Sequence, residues 1–285
     1  MTGMKTCGHT MGTPDLNVLE AIEFFSELGH DGIEIRCESE HLRGCHLDPD
    51  KFTKKSGRVI LETAESWDME IACLTPYNKD FISPGKRERE IEGLKKVVEI
   101  ADFLGSQRVR VYGGALPPKG LDREKAWNLT VGALQEISTA ADSFGVFVCV
   151  ENHMETLTET ALDTVQLVQD VDSDAVKILY DQANINRIGG ESMEAAIALQ
   201  KDYIFHVHVK DQRFERNRRI TTLLGEGTVD WRKIVEGLRG IGYEGYLSDE
   251  YEKHWVPELP EPEIGMSHNL QYIRGLLEHP AIHLG

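Results

Sequence analysis

The sequence predicts a single α/β domain, residues 1–285, folded as a closed (β/α)8 barrel. Three observations carry that expectation. Short apolar runs alternate with amphipathic helical stretches eight times, without a break in composition. Such alternation predicts parallel strands joined by right-handed crossovers. Eight units in 285 residues match the usual size of a barrel. No GxGxxG follows the first strand, which counts against an open, doubly wound dinucleotide fold.

Lys5 to His9 reads as the first strand. Asp15 is the expected cap of a helix whose Leu16, Leu19, Ile22, Phe25 and Leu28 recur at helical spacing, and Gly29 stops it. Ile33 to Arg36 is the second strand, with Glu34 and Arg36 alternating against apolar neighbours. A polar loop, Glu38 to Pro49, precedes a helix from about Lys51 to Trp67 and a third strand, Glu70 to Leu74. A helix from about Lys86 to Leu104 leads to the fourth strand, Arg108 to Tyr112. The helix from about Asp122 to Phe144 ends at Gly145 and opens onto Val146 to Val150. Later helices are expected near Thr158 to Gln169, Ser192 to Leu199, Trp231 to Gly240 and Ser267 to Glu278. A loop rich in Arg213, Arg216, Arg218 and Arg219 follows the seventh strand.

The late strands share one device. The fifth is an unbroken apolar run, as in a strand buried on both faces, and it stops at Glu151, Asn152 and His153. Lys177 to Tyr180 runs into Asp181, Tyr203 to Phe205 into His206 and His208, and Tyr246 to Ser248 into Asp249 and Glu250. Residues at the C-terminal ends of barrel strands converge on one mouth. Glu151, Asp181, His208 and Glu250 would therefore meet there, coming from four successive strands. Three carboxylates and one imidazole form a hard, oxygen-rich set suited to Mn²⁺, Mg²⁺ or Co²⁺, with Zn²⁺ still open.

Composition narrows the partners. A hydrophobic content of 40% allows a large core. The formal net charge of −17 disfavours a broad grip on nucleic acid, which needs basic surface. Five cysteines, an odd number without CxxC spacing, read as reduced thiols of a cytoplasmic protein. No signal peptide and no membrane-spanning run is visible, so no membrane partner is expected.

The stretches Val150-Glu151-Asn152-His153, Tyr180-Asp181-Gln182-Ala183-Asn184, His206-Val207-His208-Val209-Lys210-Asp211, Gly225 to Trp231 and Tyr246 to Glu250 add a further signal. Together they resemble the xylose isomerase-like barrels, the sugar phosphate isomerase/epimerase group. The resemblance covers the C-terminal half well and the N-terminal half mainly through its rhythm and Gly32-Ile33-Glu34. It implies that Glu151, Asp181, His208 and Glu250 bind one divalent ion, Mn²⁺ first. It implies that Glu151 and Glu250 exchange protons with a sugar or polyol ketone, as in the family's ketose epimerases. Homodimers or homotetramers are common in the group.

Asn184 stands where those epimerases carry a substrate-contacting histidine. His153 could instead supply a base, as in lyase or dehydratase relatives acting on inosose, 3-dehydroshikimate or 3-oxo sugars. Arg213 lies near a family arginine that contacts substrate oxygens. Lys210 follows His208 by two positions and so shares its face of an extended strand; it is expected to bind substrate or pair with Asp181. Glu155 is read as a substrate contact or as the start of the next helix. His9, Arg36, Tyr77, Arg110 and Tyr112 could line the mouth. Barrel relatives that cleave abasic DNA need extra histidines from the early strands, where this chain offers Tyr77, Arg110 and Tyr112.

Overall fold

The computed structural model describes residues 3–39, 42–216 and 218–278. Eight parallel strands close into a barrel: β1 (Lys5–His9), β2 (Gly32–Cys37), β3 (Glu70–Pro76), β4 (Arg108–Tyr112), β5 (Phe147–Glu151), β6 (Val176–Tyr180), β7 (Ile204–Val209) and β10 (Tyr246–Asp249). β10 pairs with both β7 and β1, which shuts the sheet. The helices α1 (Val18–Leu28), α2 (Lys54–Ser66), α3 (Arg87–Phe103), α4 (Arg123–Phe144), α5 (Ala161–Val171), α7 (Met193–Gln200), α8 (Trp231–Gly240) and α9 (Pro262–Glu278) form the outer shell. The expected eightfold alternation is the fold observed.

Alternation within each strand explains the layering. On β4, Val109 and Val111 join the apolar shell between sheet and helices, while Arg110 and Tyr112 are assigned to the interior by their contacts with Glu151 and Tyr77. A fully buried Val, Ile or Leu contributes about 1.5–3 kcal/mol, so this continuous shell dominates the fold's stability. It leaves the barrel interior free to be polar.

Local expectations differ from the structure in three places. Asn17, not Asp15, caps α1: its side chain accepts from the Leu19 and Glu20 N–H groups, and Glu20 returns a bond to the Asn17 N–H. This capping box outcompetes Asp15, which instead pairs with Arg43 at 2.7 Å. A short helix, α6 (Gln182–Ile188), starts directly at Asp181, whose side chain caps the Asn184 N–H. The arginine-rich loop is a two-stranded antiparallel hairpin, β8 (Asp211–Glu215) and β9 (Arg218–Thr222). All five cysteines are free thiols. Among the described residues, no helix is long and apolar enough to cross a membrane.

Candidate metal centre and active site

The barrel brings the four strand-end residues together. Glu151 closes β5, Asp181 follows β6, His208 lies on β7 and Glu250 follows β10. One ligand atom from each falls within 4.8 Å of all the others, and all four side chains are buried. His208 Nδ1 is 3.5 Å from Glu151 Oε1 and 3.3 Å from Glu250 Oε2.

The other nitrogen of His208 is already committed. Nε2 donates to Glu34 Oε1 at 3.0 Å, which leaves Nδ1 facing the carboxylates without a hydrogen-bond partner. A carboxylate behind an imidazole fixes the tautomer of a metal-ligating histidine. A buried, unpartnered nitrogen among three carboxylates fits a cation, and the donor set is a hard one.

Glu34 itself is held in the barrel's centre. It accepts from His206 Nε2 at 2.7 Å, from Ser248 Oγ at 2.6 Å and from the Thr75 hydroxyl. His9 Nε2 lies 3.7 Å from the same carboxylate. Since His9 Nδ1 accepts from the Met11 N–H, its proton sits on Nε2 and points toward Glu34.

Three carboxylates in so small a space demand positive charge. Lys210 supplies part of it: Nζ donates to Glu250 Oε2 at 2.6 Å and lies 2.8 Å from Asp181 Oδ2. It therefore pairs with Asp181 inside the cluster. Burial would discharge Lys210, but Asp181 and Glu250 lift its pKa well above the usual range. Burial likewise opposes a charge on His208, and Glu250 and Glu34 overcome it, so a bound cation would take the place of the Nδ1 proton. For Glu151, burial is outweighed by His153, His208 and Arg110, which hold the carboxyl at about 2. Asp181 moves the other way: burial pushes it to about 6, opposed by Lys210 and reinforced by Glu250 and Glu151.

Asn184 supports the cluster, its amide donating to Asp181 Oδ2 at 2.9 Å and to Glu151 Oε1 at 3.3 Å. Asn152 ties β5 to β6, donating to the Asp181 carbonyl at 2.6 Å and accepting from its N–H. His153 is half-buried beside Glu151, edge-on to the Tyr112 ring, with Nδ1 2.7 Å from the Met154 carbonyl. Burial, aided by Lys210 and Arg110, lowers its pKa.

Two expected substrate contacts lie elsewhere. Arg213 points into solvent on the hairpin and pairs with Glu215 at 2.9 Å. The hairpin arginine that turns inward is Arg219, bonded to Glu252 and Gln212 and close enough to feel Asp181 and Glu250. Register decides this: on β9, Arg219 and Arg218 face opposite ways. Glu155 is exposed, in a left-handed turn at φ 60, and its N–H bonds Glu159.

The spacing of the HVHVKD and GEGTVDW stretches has a mechanical basis. Asp211 accepts the N–H groups of Gln212, Gly225, Gly227 and Val229. A Cβ on Gly227 would overlap that carboxylate, and Gly225 sits at φ +84, where glycine is favoured. Trp231 Nε1 donates to the Lys210 carbonyl at 3.1 Å. The two stretches thus clamp each other and fix Lys210.

A sequence profile of the xylose isomerase-like TIM barrel family matches residues 22–276. The chain belongs to that family. Among xylose isomerase-like barrels, it is 33% identical to D-psicose 3-epimerase of Ruminiclostridium cellulolyticum over 147 residues, 48% of this chain and 47% of that one. It is 25% identical to inosose dehydratase of Geobacillus thermodenitrificans over 231 residues, 75% and 76% of the two chains. A xylose isomerase-like barrel from Mycobacterium smegmatis, solved in complex with magnesium, superposes with a TM-score of 0.76 at 17% identity, covering 98% of each chain. Both of these sequence relatives are enzymes, an epimerase and a dehydratase.

Proposed function

We propose that the protein is a divalent-metal-dependent isomerase or epimerase of a sugar or polyol ketone. One observation carries the reading: donor atoms of Glu151, Asp181, His208 and Glu250 meet within 4.8 Å at the barrel mouth. These residues would hold the ion, with Mn²⁺ our first choice over Mg²⁺, Co²⁺ and Zn²⁺. When bound there, a divalent ion supplies Lewis acidity that makes the proton α to a substrate carbonyl removable.

The proton transfers fall to the side chains. Glu151 and Glu250 are both held below the ordinary carboxylate range, so each is ionised and able to accept a proton. They project from β5 and from the end of β10, with β6 and β7 between them, and so approach a substrate from different sides. One removes the proton from one face, and the other, after taking up a proton from solvent, delivers it to the opposite face, inverting the carbon. Asn184 keeps Asp181 and Glu151 in place, and Lys210 supplies positive charge beside oxygens that gain electron density.

The test is α-proton exchange. Mn²⁺-loaded protein in D₂O with a ketose panel is expected to incorporate deuterium next to the carbonyl, followed by NMR. Glu151→Gln and Glu250→Gln are each expected to lower that rate by about 10²–10⁴, with bound Mn²⁺ measured in parallel. No exchange on any ketose by Mn²⁺-loaded protein would sink the reading. Since an inosose dehydratase is among the relatives, product mass is recorded too: an elimination loses water, an epimerisation does not.

A further inference from the structure

The hairpin β8–β9 leaves one backbone edge open. Glu215 and Arg218 are its last paired residues, so the turn between them is two residues long, and Arg216 has the left-handed φ of 48 that such turns need. The pair that closes a two-residue turn is hydrogen-bonded, and bonding alternates from there. The N–H and C=O of Glu215 and Arg213 therefore point at β9, while those of Phe214 and Gln212 point away from it. Gln212 obeys this rule. Its N–H donates to Asp211 Oδ1 at 2.8 Å, and its carbonyl accepts from the Thr228 N–H at 2.8 Å and the Thr228 hydroxyl at 3.0 Å. The stretch from Gly225 to Val229 thus covers the edge at Gln212. Two residues further on, the outward N–H and C=O of Phe214 have no partner outside the hairpin among the described residues.

Arg213, Phe214 and Glu215 are all exposed, Phe214 by 43%. Consecutive strand residues face opposite ways, so neither face of this end of β8 is packed. A two-stranded ribbon without a packed face is only marginally stable, and an open edge of this kind invites a third strand.

The side chains on that edge select the third strand. A second β8 docking antiparallel must set outward-pointing groups against outward-pointing groups. The twofold axis then passes through Arg213, Phe214 or Glu215. The first choice sets Arg213 against Arg213 of the partner subunit, and the last sets Glu215 against Glu215 of the partner subunit. Like charges directly opposite are destabilising. With the axis at Phe214, the two Phe214 residues exchange a pair of N–H···O=C bonds and their rings lie side by side. Arg213 then faces Glu215 of the partner subunit, on both sides of the axis. Within one chain Arg213 Nε already lies 2.9 Å from Glu215 Oε1, but the two side chains are 44% and 58% exposed. Such a pair is worth little and is exchanged at little cost. Leu162 on α5 and Ile188 on α6, exposed by 59% and 42%, add apolar surface in the two βα units before the hairpin.

We propose that β8 is a homodimer interface: a second copy of this chain docks antiparallel along the open edge, centred on Phe214, and the two hairpins join into one four-stranded sheet. The proposal concerns assembly and stands independently of the reaction.

Sedimentation equilibrium of the full chain across a concentration series tests this. Wild-type protein is expected at twice the mass of one chain. Arg213→Glu leaves like charges facing each other across the axis and should weaken self-association about tenfold. Glu215→Arg should do the same; it is made together with Arg218→Glu, which keeps opposite charges between β8 and β9. An equimolar mixture of these two variants should associate again, because each then meets its opposite. Phe214→Pro removes the N–H on the open edge, leaves the ladder to β9 intact and should be monomeric. All the substituted residues are exposed or half-buried on the hairpin, so the circular dichroism spectrum should not change. A wild type that stays monomeric overturns the proposal. So does a dimer indifferent to both charge variants, or a mixture no more associated than its components. A tetramer supports the proposal where the charge variants halve its mass and overturns it where they do not.

Discussion

Glu34 never enters the proposed ligand set, yet His208 depends on it. It orients His208 through a 3.0 Å bond and gathers His206, Ser248 and Thr75 around the same carboxylate. Glu34→Gln keeps the shape but places an amide donor where N–H and O–H groups already point inward. Mn²⁺ affinity is expected to fall about 10–100-fold, measured by calorimetry, with the circular dichroism spectrum unchanged. Unaltered affinity would show that His208 is oriented by other contacts. His30 bears on stability rather than chemistry. It is buried, both its nitrogens lack partners, and burial, aided by Arg274 and opposed by Asp31, lowers its pKa from 6.5 to about 3. The unfolded chain therefore takes up this proton first. The stabilisation is complete above about pH 6.5 and is lost as pH falls toward 3, by about 1.4 kcal/mol per pH unit. In urea unfolding at pH 6 and pH 5, His30→Leu should lower the pH dependence of stability by about that amount.

Elements explain what could be read in advance. A parallel strand buried on both faces spells out an apolar run, so the polar residue that ends it stands out; this is why Glu151, Asp181, His208 and Glu250 are legible in the sequence. The hairpin β8–β9 was hidden for the opposite reason. Its residues are almost all polar, it buries no continuous apolar face, and it is held by distant partners: Arg219 by Glu252, and Asp211 by the Gly225 to Val229 backbone. Glu34 was hidden because a carboxylate inside a strand does not announce which histidines it will meet across the barrel. α6 was hidden because its start is set by the same Asp181 that reads as a ligand. The Asp211 clamp makes a prediction at this scale. Asp211→Asn leaves one acceptor oxygen for four N–H groups and turns an amide toward them. It should destabilise the fold by about 1–3 kcal/mol and speed hydrogen exchange over residues 225–229. Gly227→Ala should act likewise by pushing on the same carboxylate. Slow exchange there in both variants would mean that the loop holds itself.

At the scale of the whole molecule, the barrel divides its labour. β5, β6, β7 and β10 are consecutive around the sheet and carry the four candidate ligands. β2 supplies Glu34, β3 supplies Thr75 and β4 supplies Arg110, which reach the same centre through the interior. An ion gripped by four adjacent strands would act as a cross-link on one half of the barrel mouth, while Glu34 passes the constraint to the other half. Binding to the folded state alone stabilises it by mass action, about 2.7 kcal/mol at a hundredfold excess over Kd. For a chain of this size that is a rise in Tm of roughly 5 °C, reversed by a chelator. Hydrogen exchange should slow first at the C-terminal ends of β5, β6, β7 and β10, and less at those of β2 and β3. In Glu34→Gln, the β2 and β3 response should vanish while a weaker response survives on the four ligand strands. Uniform protection of the whole barrel, or none on adding Mn²⁺, would contradict a centre built on one side of the mouth and wired to the other through Glu34.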